Sequence, residues 1–148
     1  MNVTRTLEKY GASIDDLMEA GFELYVGDAE DSLVQKLKDR YRKLLERNLR
    51  DPNVFLLIEA ANHLDEVMTS DSKCIFDGAD DPASLVADEL IGMSIAEYIG
   101  GKKALFNYVR YDREKPGVIG RLPPFMDDAV VALVAATMTR LFEGHDGA

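Results

Sequence analysis

The chain has one cysteine, Cys74, in 148 residues. A single thiol cannot close an intramolecular disulfide and has no partners for a Cys/His metal cage. Cys74 reads as a reduced, partly buried small hydrophobe, the state expected of a cytoplasmic protein. Basic charge is also short. Against 27 acidic residues stand 17 lysines and arginines, a formal net charge of -10, so the cationic footprint of a general nucleic-acid binder is missing. Long apolar runs are missing too. The longest, residues 129–138, is far below the roughly 20 residues that span a bilayer. The start, MNVTRTLEKYGASIDD, has no apolar core behind a basic end, so no secretory leader is expected. Repeats, low-complexity tracts, linkers and period-two strand alternation are likewise absent.

What remains is a 47% hydrophobic chain, apolar enough to fold. The expected fold is all-α, one domain over 1–148, a bundle of six or seven helices. Val3 to Tyr10 reads as a short helix stopped by Gly11, and Ser13 caps a second that runs to Gly27. From Ala29 to Leu49, the positions Leu33, Val34, Leu37, Tyr41, Leu44 and Leu45 follow one helix face. The opposite face carries Lys36, Lys38, Arg40, Arg42, Lys43, Arg47 and Arg50, a solvated charged face rather than a docking surface. Asp51-Pro52 starts a fourth helix to about Met68. On it Glu59, His63 and Glu66 share a face that could hold a metal, but one helix with no second source of ligands is weak evidence and surface polarity is the better explanation. His145 falls in a polar tail.

Asp80 or Asp81 caps a helix whose first position is Pro82 and which ends at Gly100-Gly101. A further helix spans Lys102 to Asp112. The last runs from near Met126 to about Phe142. Leu85 to Ile99 and Ala129 to Phe142 are apolar on nearly every face, so at least one is central. Glu89, Gly92 and Ala96 form one small-residue stripe and Asp128, Ala132, Ala135 and Thr139 another, which predicts close packing with Glu89 and Asp128 meeting at its rim.

Two acidic pairs therefore introduce apolar helices, with Asn107, Arg110, Asp112 and Lys115 between them. Buried carboxylates cost several kcal/mol each unless neutralised. A hard cation such as Mg2+, or another divalent ion, does so with oxygen ligands. Glu89, Asp127 and Asp128 are the expected ligands, with Asp88 or Asp112 assisting an attacking water. Lys115, Arg110, Lys103 and Asn107 are the expected phosphate-binding set. Some of the charged residues here also have a plain structural role: Asp80 and Asp81 as helix caps, Asp127 and Asp128 as favourable charges at a helix start, Lys102 and Lys103 as a surface pair. No Ser/His/Asp or Cys/His set offers a nucleophilic route.

Three segments carry more than composition: DDPASLVADELIGMSIAEYIG, NYVRYDREKPGVIG and FMDDAVVALVAATMTRL. In order and spacing they resemble the phosphatidylglycerophosphatase A family, over about residues 80–141, with residues 3–68 integral to the bundle. The pattern D-E-x-x-G, D-x-x-K-P and a downstream D-D maps onto Asp88, Glu89, Asp112, Lys115, Asp127 and Asp128, and Asp81 matches the family's Asp-Pro position. The absence of membrane spans is similar to the soluble branch that includes archaeal α-ribazole-5′-phosphate phosphatases, in cobalamin nucleotide-loop assembly. That resemblance implies a helical bundle around a central helix and a Mg2+-dependent phosphomonoesterase acting on α-ribazole 5′-phosphate or cobalamin 5′-phosphate. The alternatives are phosphatidylglycerophosphate hydrolysis and, in another class, a noncatalytic helical binding or assembly module. The expected partner is a small phosphate ester, without nucleic acid; a homo-oligomer would use an exposed apolar helix face.

Overall fold

The computed structural model describes residues 2–70 and 85–143. Seven α-helices follow in order: α1 Thr4–Glu8, α2 Ile14–Glu23, α3 Asp31–Leu49, α4 Pro52–Ser70, α5 Ala87–Gly100, α6 Lys102–Glu114 and α7 Pro124–Glu143. A 3-10 turn, Gly117–Arg121, joins the last two. No strand occurs among the described residues, and the architecture is the expected all-α bundle.

Local chemistry sets several helix starts. Ser13 Oγ accepts from the Asp16 amide at 3.2 Å while the Asp16 carboxylate accepts from the Ser13 amide at 2.8 Å, a complete capping box that starts α2. Asp51 Oδ1 accepts from the amides of Asn53 and Val54, at 2.8 and 3.2 Å, ahead of Pro52 in the first turn of α4.

The centre of the bundle is α7, in which every residue from Phe125 to Met138 is buried. Helices α3, α4, α5 and α6 all pack on it, α5 most extensively. Burial of its large aliphatic side chains stabilises the fold by roughly 1.5–3 kcal/mol each. Midway along α7, buried polar groups are paired: Tyr41 donates to the Val134 carbonyl at 3.0 Å, and Asn48 to the Thr137 hydroxyl at 2.9 Å.

Three expectations need correction. Helix α2 ends at Glu23 rather than Gly27, because tertiary contacts claim the following residues: the Leu24 carbonyl accepts from Arg110, and Tyr25 stacks on Phe142. Helix α5 begins at Ala87 rather than Pro82, since Leu85 and Val86 are not helical and Val86 has φ -125° and ψ 2°. The Asp80 and Asp81 caps, like Cys74 and His145, lie outside the described residues.

The third correction concerns the stripe on α5. Its buried line runs through Asp88, Gly92, Ile95, Ala96 and Gly100, so Asp88 faces inward and Glu89 is exposed. Gly92 opens toward α6 rather than α7. A Cβ there would lie 2.5 Å from the Tyr108 hydroxyl, whereas one at Gly100 would lie 3.2 Å from the Ala136 carbonyl and 2.7 Å from Ala104 Cβ. Of the two glycines on this line, it is Gly100 that lets α5 approach α7 closely.

Candidate functional site

Three helix ends converge on one polar cavity of about 370 Å3. It is lined by Asp88, Glu89, Asp112, Lys115, Leu122, Pro124, Asp127 and Asp128. The first turn of α5 brings Asp88 and Glu89, the end of α6 brings Asp112 and Lys115, and the start of α7 brings Asp127 and Asp128. Asp88, Asp127 and Asp128 are buried; Asp112 is partly so.

Lys115 reaches the cavity through an unusual backbone. Its φ of 46° and ψ of 60° place it in the left-handed region as the C-cap of α6, its amide donating to the Tyr111 carbonyl at 2.8 Å. A side chain there is uncommon and costs about 1–2 kcal/mol relative to glycine. The result is an ammonium bonded to Asp127 Oδ2 and 3.4 Å from Asp112 Oδ1.

Asp112, Asp127 and Asp128 each offer one carboxylate oxygen such that all three lie within 4.8 Å of one another. Glu89 shares the cavity but not this trio. Like charges this close are held only at a cost, and the protonation equilibria register it. Burial pushes Asp127 up to about 6 despite the opposing hydrogen bond and charge of Lys115, with Asp112 and Asp88 pushing further. Burial raises Asp128 well above the ordinary carboxylate range, helped by a hydrogen bond to Asp112 and by the charges of Asp112, Asp88 and Asp127. Lys115 lies above its usual value: burial alone would lower it, but the Asp127 bond and the surrounding carboxylates prevail.

Two buried polar atoms at this site have no hydrogen-bond partner among the described residues, Asp127 Oδ1 and the Tyr108 hydroxyl. Unsatisfied buried oxygens are rare and costly. A carboxylate oxygen of this kind, beside two further carboxylates, fits a hard divalent cation. Tyr108 lies on the same face of α6 as Asp112 and Lys115, four and seven residues along, and burial followed by the Asp128 charge raises its pKa, so the hydroxyl keeps its proton.

The other expected phosphate ligands lie elsewhere. Lys103, Asn107 and Arg110 line a separate cavity of about 430 Å3 with Tyr25, Met138 and Phe142. There Asn107 donates to the Ala135 carbonyl at 3.0 Å, Arg110 bonds the Leu24 carbonyl, and Lys103 sits 3.8 Å from Glu143. At 100° per residue, these three project roughly 140° around α6 from Asp112 and Lys115. Of the expected phosphate set, only Lys115 stands at the acidic cavity.

The Glu59, His63 and Glu66 face of α4 turns to α1: Thr6 donates to Glu59, and Lys9 pairs with Glu66 at 2.8 Å. On α3, Arg42 pairs with Asp15 and Lys38 lies 5.6 Å from the Phe22 ring centre.

One site residue escaped sequence reasoning. Asp65 of α4 is buried, and its Oδ1 and Oδ2 accept from the amides of Phe125 and Met126 at 2.9 and 2.7 Å. The signal was present: Asp65 continues the buried line Val54, Ile58, Ala61 at spacings of four, three and four, so a carboxylate sits on a core-facing stripe. Burial raises its proton affinity, the two amides oppose this, and the Asp88 charge adds to it.

No helix among the described residues is long and apolar enough to cross a membrane. No family model matches the chain. Among solved structures, the low temperature requirement C protein from Listeria monocytogenes has a TM-score of 0.75 at 26% identity, covering 97% of this chain and 94% of that one. A protein of unknown function from Bacillus stearothermophilus has a TM-score of 0.73 at 22% identity, covering 97% and 92%, a likeness of fold. The uncharacterized protein MJ1330 of Methanocaldococcus jannaschii is 38% identical over 130 residues, spanning 85% of this chain and 100% of that protein. At that identity and coverage, the chain belongs to the same family as MJ1330.

Proposed function

We propose that the chain is a divalent-cation-dependent phosphomonoesterase, with Mg2+ as the cation and α-ribazole 5′-phosphate or cobalamin 5′-phosphate as substrate. The observation that carries the reading is the carboxylate trio. Asp112, Asp127 and Asp128 offer oxygens within 4.8 Å of one another, and the buried Asp127 Oδ1 has no partner among the described residues. These carboxylates would hold the cation. When bound, it would neutralise their charge and polarise a phosphoryl oxygen.

Asp112 thereby takes the ligand place expected for Glu89, which stays at the exposed side of the cavity. That leaves Asp88, buried on the cavity wall, as the base that accepts a proton from the attacking water. Lys115, already positioned over Asp127 and Asp112, offers its ammonium to the transferring phosphate. Water adds to phosphorus as its proton passes to Asp88, the ester P–O bond breaks, the leaving oxygen takes a proton from solvent water and Asp88 returns its own to solvent, so the products are an alcohol and inorganic phosphate.

The substrate class rests on the motif resemblance to phosphatidylglycerophosphatase A proteins and their soluble branch. The test is phosphate release from α-ribazole 5′-phosphate and from phosphatidylglycerophosphate, each with Mg2+ or with a chelator. Release from the ribazole ester that stops on chelation supports the reading. Preference for the lipid ester redirects the substrate, and no release from any phosphomonoester leaves a noncatalytic helical module.

A further inference from the structure

The start of α7 cannot cap itself. The residues preceding Phe125 are Pro123 and Pro124. Neither has a side-chain acceptor, and Pro124, the first helical residue, has no amide hydrogen. The Asp127 amide is satisfied by the Pro123 carbonyl at 2.7 Å. The donors left open in this first turn are those of Phe125 and Met126, and both go to the two oxygens of Asp65, 60 and 61 residues away in sequence.

We infer that Asp65 is the positioning residue of the acidic site, an anchor on α4 that fixes the first turn of α7 and so aims Asp127 and Asp128 at the cation. The two amides it engages immediately precede Asp127 and Asp128. A rotation of that turn would carry both carboxylates with it, because side-chain direction on a helix follows the backbone. Asp65 does not line the cavity, so it acts through α7 and not on a substrate. It also engages the positive end of the α7 dipole, which would otherwise offset the charge of Asp127 and Asp128. With those amides engaged, the trio's negative charge is left for a cation to balance. Groups that orient metal ligands without touching the metal typically change affinity by 10–100-fold.

This inference rests on the cation-binding reading above. Its test compares Asp65→Asn, which removes the charge and one acceptor oxygen, with Tyr41→Phe, which removes a buried hydrogen bond to α7 at Val134, away from the site. Mn2+ serves as the probe, titrated by electron paramagnetic resonance at a temperature where all three proteins are fully folded. Both variants should unfold at lower temperature than the wild type. Only Asp65→Asn should weaken Mn2+ binding, by about 10–100-fold.

Unchanged Mn2+ affinity in Asp65→Asn, or equal weakening in Tyr41→Phe, overturns the positioning role and leaves Asp65 a structural cap. If the wild-type protein binds no Mn2+, the cation reading itself fails. Amide exchange then decides the anchor: loss of protection at Phe125 through Asp128 in Asp65→Asn but not in Tyr41→Phe sustains it, and equal protection in both removes it.

Discussion

Lys115 neutralises only one side of Asp127: its ammonium bonds Oδ2, while the buried Oδ1 has no partner among the described residues. Among the described residues, one cation, Lys115, thus faces three clustered carboxylates. Their charge exceeds what one ammonium neutralises, and the consequences are measurable.

Removing a carboxylate should stabilise the apo protein and abolish its chemistry. Asp128 is buried and held well above the ordinary carboxylate range by burial and its acidic neighbours. Asp128→Asn should raise apo stability at pH 8 by on the order of 1 kcal/mol, while Mg2+-dependent turnover falls at least 100-fold, a trade typical of strained sites. Denaturant unfolding and phosphate release check the two halves. An Asn variant that is active, or less stable without metal, would place Asp128 outside the site.

The pH dependence has a definite sign. Asp127 titrates at about 6 in the folded protein against roughly 3.9 unfolded, so between those values the folded state binds the extra proton. Its contribution is favourable at low pH and is lost as pH rises through about 6, by on the order of 3 kcal/mol. Asp128 acts in the same direction. In chelator, the wild type should lose more stability between pH 5 and about 7.5 than Asp127→Asn does. Added Mg2+ should stabilise most at the alkaline end, because binding requires ionised carboxylates. Parallel pH profiles for the two proteins would contradict this account.

Lys115 separates backbone from side-chain contributions. Asn and Gly tolerate left-handed backbone better than lysine does, so Lys115→Gly should relieve about 1 kcal/mol of strain while losing the ion pair to Asp127. Net stability should change by less than about 1 kcal/mol, whereas Lys115→Ala keeps the strain and should be the less stable of the two. Both should cut phosphate release, since neither supplies an ammonium. In either variant, the Asp127 titration seen by carboxyl carbon NMR should move upward from about 6.

Much of this was legible in the sequence where the cause is local. The Ser13 cap and the Asp51-Pro52 start are short-range chemistry, and both stand in the structure. The near-uniform burial of α7 followed from an apolar face in every direction. Rotation about a helix was harder to read. Asp88 and Glu89 are adjacent, and only packing on α6 and α7 decides which turns inward. The place of Asp65 on a core-facing stripe was legible, but its role required knowing that α4 ends beside a proline-blocked helix start, a relation across 60 residues that no local pattern encodes.

The sharpest consequence of helix rotation concerns Arg110. It shares α6 with Asp112 and Lys115, yet it bonds the Leu24 carbonyl and lies 5.6 Å from the centre of the Tyr111 ring, in the other cavity. Arg110→Met keeps the apolar stem and removes the guanidinium. It should lower stability by about 1 kcal/mol, the worth of one charged hydrogen bond at a partly solvated site. Its kcat and KM for the phosphate ester should stay within twofold of wild type, as should those of Lys103→Met. A large rise in KM in either variant would mean that the substrate extends past α6 into the second cavity, and the phosphate-binding role of Lys115 would then be shared.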